Sequence, residues 1–234
     1  MLAILRRELS AYFNSAIGYI VMAVFYFFSG MYFHVYCLYY GSANLTYVFS
    51  NMFMIILFLI PIITMKSFSE EKRQKTDQAL LTAPVNLFEI VMGKFLGAFT
   101  LYACCVAIFL LYALVISFFT SPSWAVVLCT VFGMLLLGGA LIAIDIFISA
   151  LTESQVIAAI ISIGVGLLIY MLDSLASLSQ SEFLTSIINA ISFNGNFSNF
   201  TFGILDLSNI VFFVSVIAIF VFLTIRVFEK KRWS

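Results

Sequence analysis

The sequence predicts an all-α membrane protein with six transmembrane helices, and three observations carry that prediction. Composition comes first: of 234 residues, 64% are hydrophobic and 9% charged, with 27 Phe, 11 Tyr and 3 Pro. A soluble core of this size would need a polar shell that so few charges cannot supply. The second is six apolar runs long enough for a hydrocarbon core of about 30 Å, which takes roughly 20 helical residues. The third is that all 11 Lys and Arg fall into three clusters separated by pairs of these runs. The net charge of zero matters less than this placement, and no acidic or basic tail points to nucleic acid.

Residues 1–14, in MLAILRRELSAYF and the Asn that follows, place Leu2, Leu5, Leu9, Tyr12 and Phe13 at helical spacing with Arg6, Arg7 and Ser10 elsewhere. This pattern predicts a helix lying in the membrane interface. It has neither the apolar core nor the small-residue site of a cleavable signal. The predicted spans follow at Ile17–Leu38, Tyr47–Met65, Phe95–Phe119, Trp124–Leu151, Val156–Leu172 and Ile210–Phe228. Unbroken apolar runs argue for helices, because barrel strands would alternate polar and apolar over about ten residues. Pro61, near the end of the second span, is expected to kink it. Arg6 and Arg7, Lys66 to Lys94, and Arg226 to Arg232 make the three basic clusters. By the positive-inside rule both termini and the 66–94 loop face the cytoplasm of a multi-pass inner-membrane protein.

The loop from Lys66 to Lys94 gathers a large share of the chain's charge and is too long to be a simple connector. Glu70, Glu71, Lys72, Arg73 and Lys75 mix both signs within two helical turns, which suits a solvated helix facing another protein. Asn86 and Glu89 stand in capping-box spacing, so a second helix is expected to begin there. Between them "ALLTAPV" reads as a compact apolar turn. A charged loop that only holds topology is the simpler alternative.

Three stretches, "ILRRELSAYFNSAIGYI", "MKSFSEEKRQKTDQALLTAPVNLFEIVMGKFLGA" and "FISALTESQVIAAII", in this order, resemble the permease subunits of ABC-2 type ATP-binding-cassette transporters. The gliding-motility-associated (GldF-like) permeases are the nearest subgroup. The resemblance implies a single ABC-2 transmembrane domain over 1–234, of the type V exporter kind, in which the 66–94 region carries a coupling helix. Ser67, Glu70, Glu71, Lys72, Arg73 and Thr76 would then meet a separate ATPase. It also implies two ATPase copies around a dimer of this permease, or of the permease with a paralogue, and a possible extracytoplasmic auxiliary subunit. Family members commonly carry a Gly-Thr pair after Lys-Arg, where this chain has Gln74, Lys75 and Thr76.

The chain itself has no P-loop: Gly93-Lys94 is followed by Phe95 and lacks the upstream Gly that phosphate cradling needs. ATP and magnesium are therefore expected on the partner, with no cofactor and no catalytic residue here. Cys37, Cys104, Cys105 and Cys129 read as small buried residues, and the pair His34 and Cys37 has too few ligands for a metal. Asp145 lies seven residues before the loop that follows its apolar run, about 10 Å deep at 1.5 Å per residue. It is expected either to face the dimer interior or to reach back to the headgroups. The pairs Gly93 and Gly97, Gly138 and Gly139, and Gly164 and Gly166 would permit close helix approach. Residues 173–209 carry no basic residue, and Phe183, Leu184, Ile187, Ile188 and Ile191 form a helical stripe, so a re-entrant outer hairpin is expected. Two functions fit: export of an apolar or amphipathic substrate driven by the partner ATPase, or transmission of ATPase motion to an outer partner without transport.

Overall fold

In the computed structural model, residues 1–41, 44–76, 86–178 and 191–233 are described. The chain forms helices α1 (Leu2–Phe13), α2 (Ala16–Phe33), α3 (Thr46–Thr64), α4 (Ser69–Arg73), α5 (Leu87–Val106), α6 (Ile108–Ser117), α7 (Trp124–Leu151), α8 (Gln155–Leu178), α9 (Phe193–Thr201) and α10 (Leu207–Trp233). No strand occurs among the described residues. Six helical stretches are long and apolar enough to span a bilayer, with α5 and α6 stacked into one and α2 extended by a π-helical segment, His34–Tyr39. The protein is a multi-pass membrane protein.

The spans agree with the hydropathy pattern, except that the third begins at Leu87 rather than near Phe95. Its first two turns carry Glu89 and Lys94, which hydropathy alone discounts. Asn86 is the residue before α5, yet its side chain makes no capping bond, and the Glu89 carboxylate instead accepts from the Met1 ammonium at 2.8 Å. Helix α3 contains Pro61, whose ring nitrogen cannot donate to the carbonyl of Leu57.

Helix α7 is the centre of the bundle. It packs against α3, α5, α6, α8, α9 and α10 and is buried over most of its length. Gly138 on α7 lets α5 approach: a Cβ there would stand 2.1 Å from the Tyr102 ring. The Tyr102 hydroxyl donates to the Met134 carbonyl at 2.9 Å, so a large buried ring ties the two helices without an unpaired polar atom. Helices α2, α6, α8 and α10 turn broad apolar faces outward, including Phe27, Leu111, Ile160 and Phe222.

At the opposite end from the basic residues, α9 dips into the bundle. Phe193, Phe197 and Phe200 are buried, and the Phe200 carbonyl accepts from Thr130 Oγ1 at 2.9 Å. Ser192 caps α9 by accepting from the Gly195 amide. Residues 179–190, with most of the expected hairpin stripe, lie outside the described residues, and Ile191 is exposed. Cys37, Cys105 and Cys129 are buried as expected, whereas Cys104 is exposed, because it lies on the outward face of α5 next to buried Cys105. No group of three or more His, Cys, Asp or Glu that would hold a metal occurs among the described residues.

Candidate coupling site at the basic end

Helix α4 is five residues long, far below the length at which a helix is stable alone, so its neighbours must hold it. They do so at both ends. At its start the amides of Phe68 and Ser69 donate to Ser149 Oγ of α7 at 3.1 and 3.2 Å, which satisfies donors a helix N-terminus leaves open. Lys72 Nζ donates to the Ala150 carbonyl near the end of α7. Phe68 is buried and lies 4.5 Å from the Phe228 ring of α10, centroid to centroid.

The C-terminus of α4 closes with the Thr76 amide on the Glu71 carbonyl and the Lys75 amide on the Lys72 carbonyl, both at 3.0 to 3.1 Å. That is the Schellman arrangement, with Lys75 in the left-handed position at φ 56°. A lysine here takes the conformation that glycine adopts without a Cβ penalty. The break in the helix therefore falls at Lys75.

Beneath α4 sits a cluster of four charges. Lys94 of α5 is 2% exposed along its side chain and donates to Glu71 Oε1 at 2.9 Å and Glu8 Oε1 at 3.0 Å. Arg7 of α1 donates to the same two oxygens at 2.8 and 2.9 Å. Lys94 also stands 5.0 Å above the Phe68 ring. The cluster thus pins α1, α4 and α5 together, and Glu71 Oε2 remains buried without a hydrogen-bond partner. Helix α1 reaches this position because Gly93 and Gly97 offer it a bare face: a Cβ at Gly93 would lie 2.8 Å from Ile4, and one at Gly97 2.8 Å from Glu8. The Tyr12 hydroxyl donates to the Ile63 carbonyl at 3.0 Å, and burial pushes its phenol up, Glu8 adding to the effect and the Ser67 hydroxyl opposing it. A groove of about 470 Å³ opens between α1, the end of α3 and α4, with Arg7, Lys66 and Glu70 on its walls.

The six residues expected to meet a partner divide by placement. Arg73 and Thr76 are exposed, and Glu70 and Lys72 are partly so. Ser67 is buried and Glu71 is turned into the charge cluster. Sequence reading missed Lys94, Glu8 and Ser149. The available signal was two ionisable residues, Glu8 and Lys94, inside otherwise apolar helix faces, each of which needs a partner. Asp145, one turn before Ser149 on α7, is 4% exposed and lies beside the hydroxyls of Thr64 of α3 and Ser162 of α8. Its side chain is enclosed by helices of this subunit.

Among curated proteins the chain has no match. A family model described as ABC-2 family transporter protein matches residues 13–233, nearly the whole chain, from the end of α1 to the end of α10. With six spanning helices, the re-entrant α9 and a short anchored helix at the basic end, the chain belongs to the ABC-2 transporter family.

Proposed function

We propose that the chain is the permease subunit of an ATP-driven exporter, with α4 as the helix that receives motion from a separate ATPase. The observation that carries this reading is the double anchorage of α4: hydrogen bonds to Ser149 and Ala150 of α7 on one side, and the Glu71 ion pairs to α5 and α1 on the other. A push on Arg73 and Thr76 at its exposed surface would reach the central α7 together with α5 and the docked α1. Two ATPase copies would bind ATP and magnesium, and two permease copies would enclose the path in the cytoplasmic membrane, with both termini cytoplasmic. The outward apolar faces of α2, α6, α8 and α10 supply surface for lipid and for the second copy. The scarcity of charge along the spans favours an apolar or amphipathic substrate. The gliding-associated subgroup, with an outer auxiliary subunit, is the closest fit by resemblance.

The test is purification of the tagged chain from its native membrane in mild detergent, with co-purifying chains identified by mass spectrometry and ATP hydrolysis measured. A stoichiometric ATPase, lost on combining Arg73→Glu with Thr76→Arg while the permease stays inserted, is the expected result. A chain that comes alone and inert from several detergents would overturn it. An ATPase that drives hydrolysis without substrate movement in proteoliposomes would instead favour transmission to an outer partner.

A further inference from the structure

The groove between α1, the end of α3 and α4 holds about 470 Å³, within the range of about 300–1,000 Å³ usual for small-ligand sites. Six charged side chains line it, and four of them answer one another: Arg7 and Lys94 are paired with Glu8 and Glu71. Two are left over. Lys66 and Glu70, both partly exposed on its walls, enter no ion pair among the described residues. Glu70 Oε1 accepts from the neutral Gln74 amide at 3.2 Å. The groove thus presents one cation and one anion whose charges the fold leaves unanswered.

Part of the lining is apolar. Ile17 belongs to the first turn of α2, and Ile62 and Ile63 to the last turn of α3, so the groove runs from charged groups at the basic end to the ends of two membrane spans. An occupant that matches both parts is polar at one end and apolar at the other, and at this depth the bilayer supplies it. Its polar end must carry both signs. A phosphate suits Lys66 and the remaining N–H groups of Arg7. A primary ammonium brings charged donors to Glu70, and Glu71, whose Oε2 has no hydrogen-bond partner, borders the same groove. An anionic lipid would set a like charge beside Glu70 and calls for an excess of Lys and Arg that this groove lacks. A quaternary ammonium has no N–H to donate and is held by aromatic cages, whereas Tyr12 is the one aromatic residue in the lining.

We propose that this groove binds one zwitterionic phospholipid with a primary ammonium, of the phosphatidylethanolamine type. Arg7 and Lys66 hold its phosphate, Glu70 holds its ammonium, and Ile17 and Ile62 face an acyl chain. A lipid seated there braces α4 against α1 and the end of α3. The proposal requires neither the ATPase nor the transport reading.

The test uses the full chain in detergent, with any partner that co-purifies, washed free of lipid. Phosphatidylethanolamine, phosphatidylglycerol and phosphatidylcholine with the same acyl chains are then added singly. At a hundred times its dissociation constant, phosphatidylethanolamine should raise the melting temperature by about 5 °C or more, and the other two by much less. Native mass spectrometry should retain one phosphatidylethanolamine per chain. Glu70→Gln should remove the preference over phosphatidylglycerol, and Lys66→Gln should weaken binding of both lipids by about tenfold. Glycerophosphoethanolamine, the same headgroup without acyl chains, should have no effect at the same concentration. Equal shifts from the three lipids would mean lipid acting only as solvent and overturn the proposal. A preference that survives both substitutions, or a full shift from the headgroup alone, would overturn it too. Shielding of Lys66 from an amine-reactive reagent by a co-purified ATPase but not by lipid would assign the groove to the ATPase instead. If one variant fails to fold, the other variant and the lipid stoichiometry decide.

Discussion

Lys94 is the residue on which the basic end turns. Replacing it by Met leaves Glu8 and Glu71 half-buried with Arg7 alone to balance them, and breaking a buried pair by removing one partner costs about 3–5 kcal/mol. The low end applies because both carboxylates keep some contact with water. Lys94→Met should therefore lower the melting temperature in detergent by roughly 6–12 °C. Adding Glu8→Gln and Glu71→Gln should recover much of it, because the three groups are strongly coupled. Lys75→Gly should act in the other direction, stabilising the end of α4 by about 1 kcal/mol through relief of the left-handed strain, read as slower proteolysis of the 66–94 loop. Neither effect was legible in the sequence. Charge content marked the loop, but which carboxylate faces inward depends on α1 and α5 arriving beneath it from distant parts of the chain.

At the scale of elements, the apolar runs and basic clusters placed all six spans. The N-terminal helix was equally readable from its spacing. Its docking partner was not, because Gly93 and Gly97 were visible only as a generic pattern for helix approach; here they receive α1 rather than another span. Gly97→Leu should lift α1 from α5, break the Glu8 to Lys94 pair and expose Tyr12, an outcome that tryptic cleavage at Arg6 and Arg7 would report as faster digestion than in the wild type. The start of α5 escaped hydropathy for a related reason. A helix turn bearing Glu89 and Lys94 looks like loop until the charges are seen to be neutralised within the fold. In α9, Phe193–Thr201, every third or fourth side chain is an aromatic turned into the bundle at the end opposite the basic residues. Thr130→Val, removing the donor to Phe200, should cost about 1 kcal/mol in a thermal melt.

For the whole molecule, the predicted orientation has a direct check. Cysteines placed at the exposed positions Lys75 and Asn194, in a background without the native cysteines, should react from opposite sides: an impermeant maleimide on intact cells labels Asn194→Cys alone, and Lys75→Cys only after permeabilisation. Labelling of both from outside would refute the orientation. Fold class and span number were legible because burial in lipid imposes one simple demand, apolar length, on every spanning segment. Asp145 was legible as an oddity and its surroundings were not, since the hydroxyls beside it come from α3 and α8.

The length of α7 bears on how the surrounding lipid acts on the molecule. Its 28 residues make a rod of about 42 Å, well beyond a hydrocarbon core of about 30 Å. Facing lipid, such a rod would have to tilt or thicken the bilayer around it. Here α3, α5, α8 and α10 wall it in, so hydrophobic mismatch falls on the rim helices instead. Short-chain and long-chain phospholipids would then change the tilt of α2, α8 and α10 while the seat of α4 on α7 keeps its geometry.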